Sequence, residues 1–277
     1  MSFTLRNRNQ LITIATPAIM GIVNATPDSF YSESRIVAAE GALDQVRKMV
    51  EEGAQIIDIG GQSTRPGAER VEASEEIKRV VPIIEAVHAA FPDLLISIDT
   101  FYGEVAEAAF QAGAGMVNDV SAWSIDPTLL EVVAKHQLPY VLMHMQGTPQ
   151  NMQAAPKYDD VVNDVYKFFT EQLAILRQHG VSDVLLDPGF GFGKTLEHNY
   201  ALLGRLKEFT SLELPLLIGL SRKGMIYKPL NIKAEEALIG TTAANVIALM
   251  NGAHVLRVHD VKAAAEAIKI VSLAQES

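Results

Sequence analysis

Cysteine is absent from all 277 residues. Disulfide frameworks, thiolate zinc sites, iron–sulfur clusters and cysteine nucleophiles are therefore excluded. Tryptophan occurs once and aromatic residues make up only 6% of the chain, while Ala, Ile, Leu and Val are abundant; that balance suits buried parallel strands covered by helices. Basic residues are in deficit, 23 Lys plus Arg against 33 Asp plus Glu, for a net charge of −10. A nucleic-acid or anionic-membrane surface would need a basic patch, so neither partner is expected. Any anionic ligand must then be held by a few placed cations, a metal ion or backbone N–H groups. No apolar run approaches the ~18 residues needed to span a bilayer, and the segment Met1 to Gln10 lacks the apolar core of a signal peptide. The expectation is a soluble cytoplasmic protein.

What is present is a repeated alternation of short β-branched runs with helical patterns. Eight candidate strands are Ile19–Asn24, Gln55–Ile59, Leu95–Thr100, Met116–Val120, Tyr140–His144, Val184–Asp187, Leu216–Leu220 and Val255–His259. Between them, sets such as Ile77, Val80, Val81, Ile84 and Val87, or Val161, Val162, Val165, Phe169, Leu173 and Leu176, recur at helical spacing and predict helices with one buried face. Asp126-Pro127 reads as an N-cap followed by Pro at the first helical position, and Asn251-Gly252 as the end of a helix from about Ala234 to Met250.

Such an alternation fits a closed barrel or an open doubly wound sheet. Polar residues at or just past the strand ends, Asn24, Asp58, Asp99, Asp119, His144, Asp187, Ser221 and Asp260, favour the barrel, because a barrel gathers all such ends on one face. The fold class expected is thus α/β, a single (βα)8 TIM barrel with a short N-terminal hairpin. Residues 1–16 form the hairpin, plugging the amino end, and residues 17–277 form the barrel, one domain overall.

Several motifs carry chemistry. Asp187-Pro-Gly-Phe-Gly-Phe-Gly-Lys-Thr195 is neither a Walker A loop, since Pro188 stands where Gly is needed, nor a dinucleotide fingerprint. It reads as a tight strand-to-helix turn whose glycines let backbone or ligand come close. Gly60-Gly-Gln-Ser-Thr-Arg-Pro-Gly67 has hydroxyls and an Arg suited to closing over a phosphate, and taken alone reads equally as a solvent loop with a chance Arg. Asn24-Ala-Thr-Pro-Asp-Ser-Phe30 offers oxygen ligands of the kind Mg²⁺ takes beside substrate phosphates, although Thr-Pro-Asp is also an ordinary turn. Ser221-Arg-Lys-Gly224 and Arg257-Val-His259 supply cations. In a strand Arg257 and His259 share a face, and a lumenal Arg needs an anion: a bound phosphate, or an internal salt bridge to Asp99 or Asp119. His88, His136, His179 and His198 read as solvated positions on helices or their ends. His144, between Met143 and Met145, suits the wall of a flat ligand's slot, and core packing explains the Met pair equally well.

Together with Ser97-Ile-Asp-Thr100 and Val117-Asn-Asp119, these motifs resemble the dihydropteroate synthases, in order and over nearly the whole chain. The resemblance implies a barrel that joins 6-hydroxymethyl-7,8-dihydropterin diphosphate to para-aminobenzoate, with Mg²⁺ as cofactor, and a homodimer formed through the later helices. It implies that Asn24 ligates the metal, that Ser63, Thr64, Arg65, Arg257 and His259 hold the diphosphate, and that Asp99, Asn118, Asp187 and Lys223 grip the pterin with Met143 and Phe192 lining its slot. Ser221, Phe30 and Pro66 would receive the aminobenzoate. The residues expected to bear on catalysis are Asn24, Arg65, Asp99, Asp187, Lys223, Arg257 and His259. The chain departs from the family pattern at Gln62, where Glu is frequent, and at Tyr31-Ser-Glu-Ser34, where Asp-Gly-Gly is frequent; both bear on loop geometry. A methyltetrahydrofolate:corrinoid methyltransferase would share the Asp and Asn contacts but not require the Ser-Thr-Arg-Pro loop. A catalytically silent pterin-binding paralogue is disfavoured by the intact Asn24, Arg65, Lys223 and Arg257.

Overall fold

Side chains on a strand alternate between its two faces, so in a barrel every second residue enters the lumen and the rest meet the helices. The computed structural model describes residues 2–8, 10–25, 35–62, 70–148, 152 and 156–276. Over these the chain runs β1 (Ser2–Asn7), β2 (Gln10–Ala15), β3 (Ala18–Asn24), α1 (Arg35–Glu51), β4 (Ile56–Gly60), α2 (Ala73–Ala90), β5 (Leu95–Asp99), α3 (Gly103–Ala112), β6 (Met116–Asp119), α4 (Thr128–His136) and β7 (Tyr140–Met143). It continues through α5 (Val161–Gln178), β8 (Val184–Asp187), α6 (Leu196–Gly204), a 3-10 segment (Leu206–Leu212), β9 (Leu217–Ile218), α7 (Gly224–Leu230), a second 3-10 segment (Ala234–Glu236), α8 (Leu238–Met250), β10 (Val255–Val258) and α9 (Val261–Glu276).

Strands β3 to β10 form one parallel eight-stranded sheet in the order β8-β7-β6-β5-β4-β3-β10-β9. A parallel bridge between Leu186 and Leu216, with Leu186 N–H donating to Pro215 O at 2.9 Å, joins the two edges and closes the barrel. This is the expected (βα)8 architecture.

The lumen is built in layers. Its lowest layer is wholly apolar: Ala18 and Met20, then Ile56, Leu95, Met116, Val141, Leu185, Leu217 and Val255, from all eight strands, form a core of their own. The antiparallel hairpin β1–β2 caps that layer, because Leu5 and Ile14 lie on its inner face and are buried in the same core, with Phe3 and Ile12 packed beside them. The outward strand residues, among them Ile57, Ile59, Ile96, Ile98, Leu142 and Leu186, join the helices in the larger core. Two residues above the apolar floor the lumen turns polar, and that change places the site.

Boundaries differ from expectation where local chemistry intervenes. Strand β9 keeps only Leu217 and Ile218 in register with β10, because the chain is already turning: Lys223 N–H donates to Leu220 O at 3.1 Å and Arg222 takes φ 56°. The helix expected from Ala234 is a 3-10 turn to Glu236, after which α8 begins at Leu238. The cap expected at Asp126 is displaced by one residue: Pro127 stands at the N-cap of α4, and Asp126 before it accepts from Thr128 N–H at 3.0 Å. His136, expected in solvent, stacks on Phe110 at 4.0 Å and bonds Glu107 at 2.8 Å, while His198 completes a capping box with Thr195 on α6. Among the described residues no helix is long and apolar enough to cross a membrane.

Candidate active site at the carboxyl end of the barrel

Counting by two from the apolar floor along β4 to β10 brings Asp58, Ser97, Asn118, Met143, Asp187, Gly219 and Arg257 into the next lumenal layer, with Gly60 and Asp99 above them. Glycine keeps space beside the charged groups: a Cβ on Gly60 would lie 3.3 Å from Asp99 Cβ, and one on Gly219 would face Arg257 and Lys223.

Arg257 organises this layer. Its Nε donates to Asp58 Oδ2 at 2.6 Å and its Nη2 to Asp99 Oδ2 at 2.5 Å. The same Asp58 oxygen accepts from Asn118 Nδ2 at 2.9 Å, and Asp58 is 0% exposed. Asp58 Oδ1 and Ser97 Oγ, on neighbouring strands, are buried there with no hydrogen-bond partner among the described residues. Burial acts to lower the Arg257 pKa, but the two carboxylates outweigh it and raise it, so the guanidinium is permanently charged. Burial pushes the Asp99 carboxyl up, and Arg257 opposes that shift.

Asp187, at the end of β8, accepts from Gly189 N–H at 2.7 Å; burial raises its pKa, with Lys223 the main opposing charge. Lys223 donates to Phe190 O at 2.6 Å and lies 4.8 Å from the centre of the Phe192 ring. Burial lowers its pKa to about 8, against the pull of Asp187 and Asp99. Met143 packs with Phe101 and Val120 in a small apolar cluster that Met145 and Phe192 border. Ser221 Oγ and His259 Nδ1 are 3.0 Å apart, and His259 N–H also donates to the same hydroxyl. Asn24 ends β3 with an exposed side chain.

The structure therefore brings together Asp99, Asn118, Asp187, Lys223, Arg257, Met143 and Phe192, with Ser221 and His259 as a bonded pair. Phe30, Ser63, Thr64, Arg65 and Pro66 lie outside the described residues. Three strand-end residues expected in a common pocket face elsewhere. Asp119 accepts from Ser121 N–H, Ser121 Oγ, Trp123 N–H and Tyr140 OH, each at 2.7 Å, and is a structural anchor. Asp260 pairs with Arg222. His144 lies edge-on to Phe168 of α5 at 4.9 Å, outside the lumen rather than on a ligand slot; burial drives its pKa well down.

Sequence reasoning missed two partners. Asp58 was visible as a strand end, and its phase with Ile56 is the signal that places it inward. Glu76, in the first turn of α2, is 0% exposed and accepts from Gln62 Nε2 at 2.7 Å, while Arg79 on the same helix donates to Gly61 O at 3.0 Å. Burial, with the nearby Asp99 charge, pushes Glu76 up to about 8. Close packing also requires the second glycine of the motif, since a Cβ on Gly61 would meet Glu76 Cγ at 2.7 Å.

Residues 20–259 match the model of the pterin binding enzyme family. The chain belongs to that family. Within it, the chain is 48% identical over 262 residues to the dihydropteroate synthase of Escherichia coli strain K12, covering 94% of this chain and 92% of that one. The Yersinia pestis dihydropteroate synthase, solved with a sulfonamide drug complex, superposes with a TM-score of 0.93 at 44% identity over 99% of this chain and 100% of that one. The Xanthomonas albilineans dihydropteroate synthase, solved with 4-aminobenzoic acid, gives 0.91 at 42% identity over the whole of both chains. The chain is a transferase of that kind, and the polar layer above the apolar floor gathers Asp58, Asp187 and Arg257 in its lumen.

Proposed function

We propose that the barrel mouth condenses 6-hydroxymethyl-7,8-dihydropterin diphosphate with para-aminobenzoate, giving 7,8-dihydropteroate and diphosphate for folate biosynthesis. The observation that carries this reading is the interleaving of a buried carboxylate, Asp187, and a partly buried one, Asp99, with Asn118, Lys223 and Arg257 in one lumenal region. A pterin edge presents adjacent N–H donors and ring acceptors, and each one left unpaired would cost about 1–3 kcal/mol. Asp99 and Asp187 accept from the donors, Asn118 and Lys223 pair with the remaining edge, and Met143 and Phe192 cover the ring faces.

The reaction breaks the bond between the pterin methylene carbon and the bridging diphosphate oxygen, both electrons leaving with the oxygen. The electron-rich dihydropterin stabilises the cation that remains, so the displacement is S_N1-like. The aminobenzoate nitrogen then forms the C–N bond and loses a proton. Asp99 and Asp187 favour the positive pterin, while Arg257, His259, Ser63, Thr64 and Arg65 hold the departing diphosphate. Ser221 receives the aminobenzoate carboxylate, with Phe30 and Pro66 about its ring; a sulfonamide of similar shape competes there.

Mg²⁺ belongs to this proposal. Among the described residues no cluster of three or more His, Asp or Glu could hold a metal alone, and Asn24 offers a single neutral oxygen donor at the mouth. That donor set suits an ion that keeps most of its waters and is completed by diphosphate oxygens. When bound, Mg²⁺ neutralises leaving-group charge. A homodimer is proposed through α8 and α9, where Ile239 is 84% exposed and Leu238, Met250, Ile270 and Leu273 are also exposed. A cytoplasmic location is proposed on the activity alone.

The test is to mix the two substrates with Mg²⁺ and the protein and to follow diphosphate and dihydropteroate. Equimolar formation of both, dependent on the arylamine, is expected; no diphosphate release at saturation would overturn the reading.

A further inference from the structure

Lys194 ends the glycine-rich motif after β8 and has no part in the site proposed above. It is 3% exposed, and among the described residues no carboxylate lies within salt-bridge distance of it. Its Nζ instead donates to three backbone carbonyls, Gly189 O at 2.9 Å, Phe192 O at 3.0 Å and His144 O at 3.2 Å, and lies 3.0 Å from His144 Nδ1. Two of those carbonyls belong to the turn after β8 and the third to the exit of β7.

These two segments are pressed together backbone to backbone. A Cβ on Gly189, which has φ +71°, would lie 1.9 Å from His144 O, and one on Gly193, with φ +63°, 2.4 Å from Gln146 O. His144 N–H donates to Asp187 O at 3.0 Å. Carbonyl oxygens aimed at a common point repel one another unless a donor stands between them; burial lowers the Lys194 pKa to about 7, and in its charged form Nζ supplies three N–H donors from one atom. The same turn carries Phe190, whose carbonyl accepts from Lys223, and Phe192, whose ring lies against Lys223.

We infer that Lys194 is a positioning residue for the pterin half of the site: its amine, caged by the carbonyls of His144, Gly189 and Phe192, holds the 187–194 turn in the curl that sets Phe192 and Lys223 around the ring. The inference rests on the pterin reading above. Lys194 is placed to touch neither substrate, so its loss acts on the geometry of the pterin contacts and leaves the aminobenzoate contacts, Ser221 after β9 with Phe30 and Pro66 after β3 and β4, in place.

The experiment measures 6-hydroxymethyl-7,8-dihydropterin binding by calorimetry, together with KM for aminobenzoate and kcat, for the wild type, Lys194→Met and Lys194→Gln. Displacing binding groups by a fraction of an ångström is expected to weaken pterin binding by about tenfold or more in Lys194→Met. Lys194→Gln, which keeps two N–H donors, should lose less, and the aminobenzoate KM should stay within about twofold in both, as expected for an undisturbed contact set. A folded Lys194→Met with unchanged pterin affinity overturns the inference, as does an equal rise in both substrates' constants. Failure of both variants to fold overturns it too, since the role would then be general stability. Wild-type protein that binds no pterin defeats the functional reading first, a result distinct from any of these.

Discussion

Asp58 and Arg257, 199 residues apart in the chain, meet inside the barrel with Nε 2.6 Å from Oδ2. That carboxylate oxygen also takes Asn118 Nδ2, so one buried side chain on β4 fixes groups on β6 and β10. On the proposed reading Arg257 receives a diphosphate, and its bonds to Asp58 and Asp99 would hold the guanidinium ready for it.

Asp58→Asn should therefore disturb both neighbours. Removing one member of a buried charge pair costs about 3–5 kcal/mol when nothing replaces it; Asp99 remains beside Arg257, so a loss at the lower end of that range is expected in denaturant unfolding. Turnover of the diphosphate ester should fall with it. Unchanged stability and unchanged kcat/KM would show that Asp99 alone sets Arg257.

Glu76 makes stability depend on pH. Its ordinary value of 4.5 is raised to about 8 in the fold. The native state thus binds the extra proton between those values, and the stabilisation present below pH 4.5 is lost as pH rises to about 8. The slope from this one group is at most about 1.4 kcal/mol per pH unit. Glu76→Gln, which keeps the acceptor for Gln62, should gain on the wild type steadily from pH 5 to pH 8 in unfolding experiments. Parallel curves would mean that Glu76 is ionised in the native protein.

Arg65 lies outside the described residues, and the proposed reading gives it a hold on the departing diphosphate. Arg65→Ala should lower kcat more than it weakens pterin binding, since an interaction made chiefly in the transition state shows in kcat. Equal effects on turnover and affinity would count against that role.

The hairpin should be separable from the chemistry. Leu5 is 2% exposed in the apolar floor, so Leu5→Ala should cost about 2–5 kcal/mol of stability. The folded protein should keep its KM values, because the polar layer stands above that floor. A changed pterin KM in folded Leu5→Ala would show that the floor shapes the site.

Much of this was legible from residue order. The barrel follows from eight β-branched runs alternating with helical periodicity, and Asp99, Asn118, Asp187 and Arg257 fall at strand ends in the phase that faces inward. Nearness to a strand end was too coarse a signal for Asp119 and His144, each one residue out of phase with an inward neighbour, Asn118 and Met143. Applying the two-residue alternation strictly would have turned both outward and drawn Asp58 in with Ile56. The Glu76–Gln62 contact and the Lys194 cage were not legible. The first depends on how α2 packs under the exit of β4, and the second on carbonyls from two loops, which leave no pattern in side-chain order.

The division of the mouth into a pterin half on Asp99, Asn118 and Asp187 and a diphosphate half on Arg257 and His259 is the central claim. Calorimetry of 6-hydroxymethyl-7,8-dihydropterin and of its diphosphate ester, in the presence of Mg²⁺, tests it most directly when run on Asp187→Ala and Arg257→Ala. Asp187→Ala should weaken both ligands by a similar amount, about 2–5 kcal/mol, the range for truncating a buried hydrogen-bonded charge, and Arg257→Ala should weaken the ester far more than the bare pterin. Unchanged binding in Asp187→Ala, or equal weakening of both ligands in Arg257→Ala, would contradict the account.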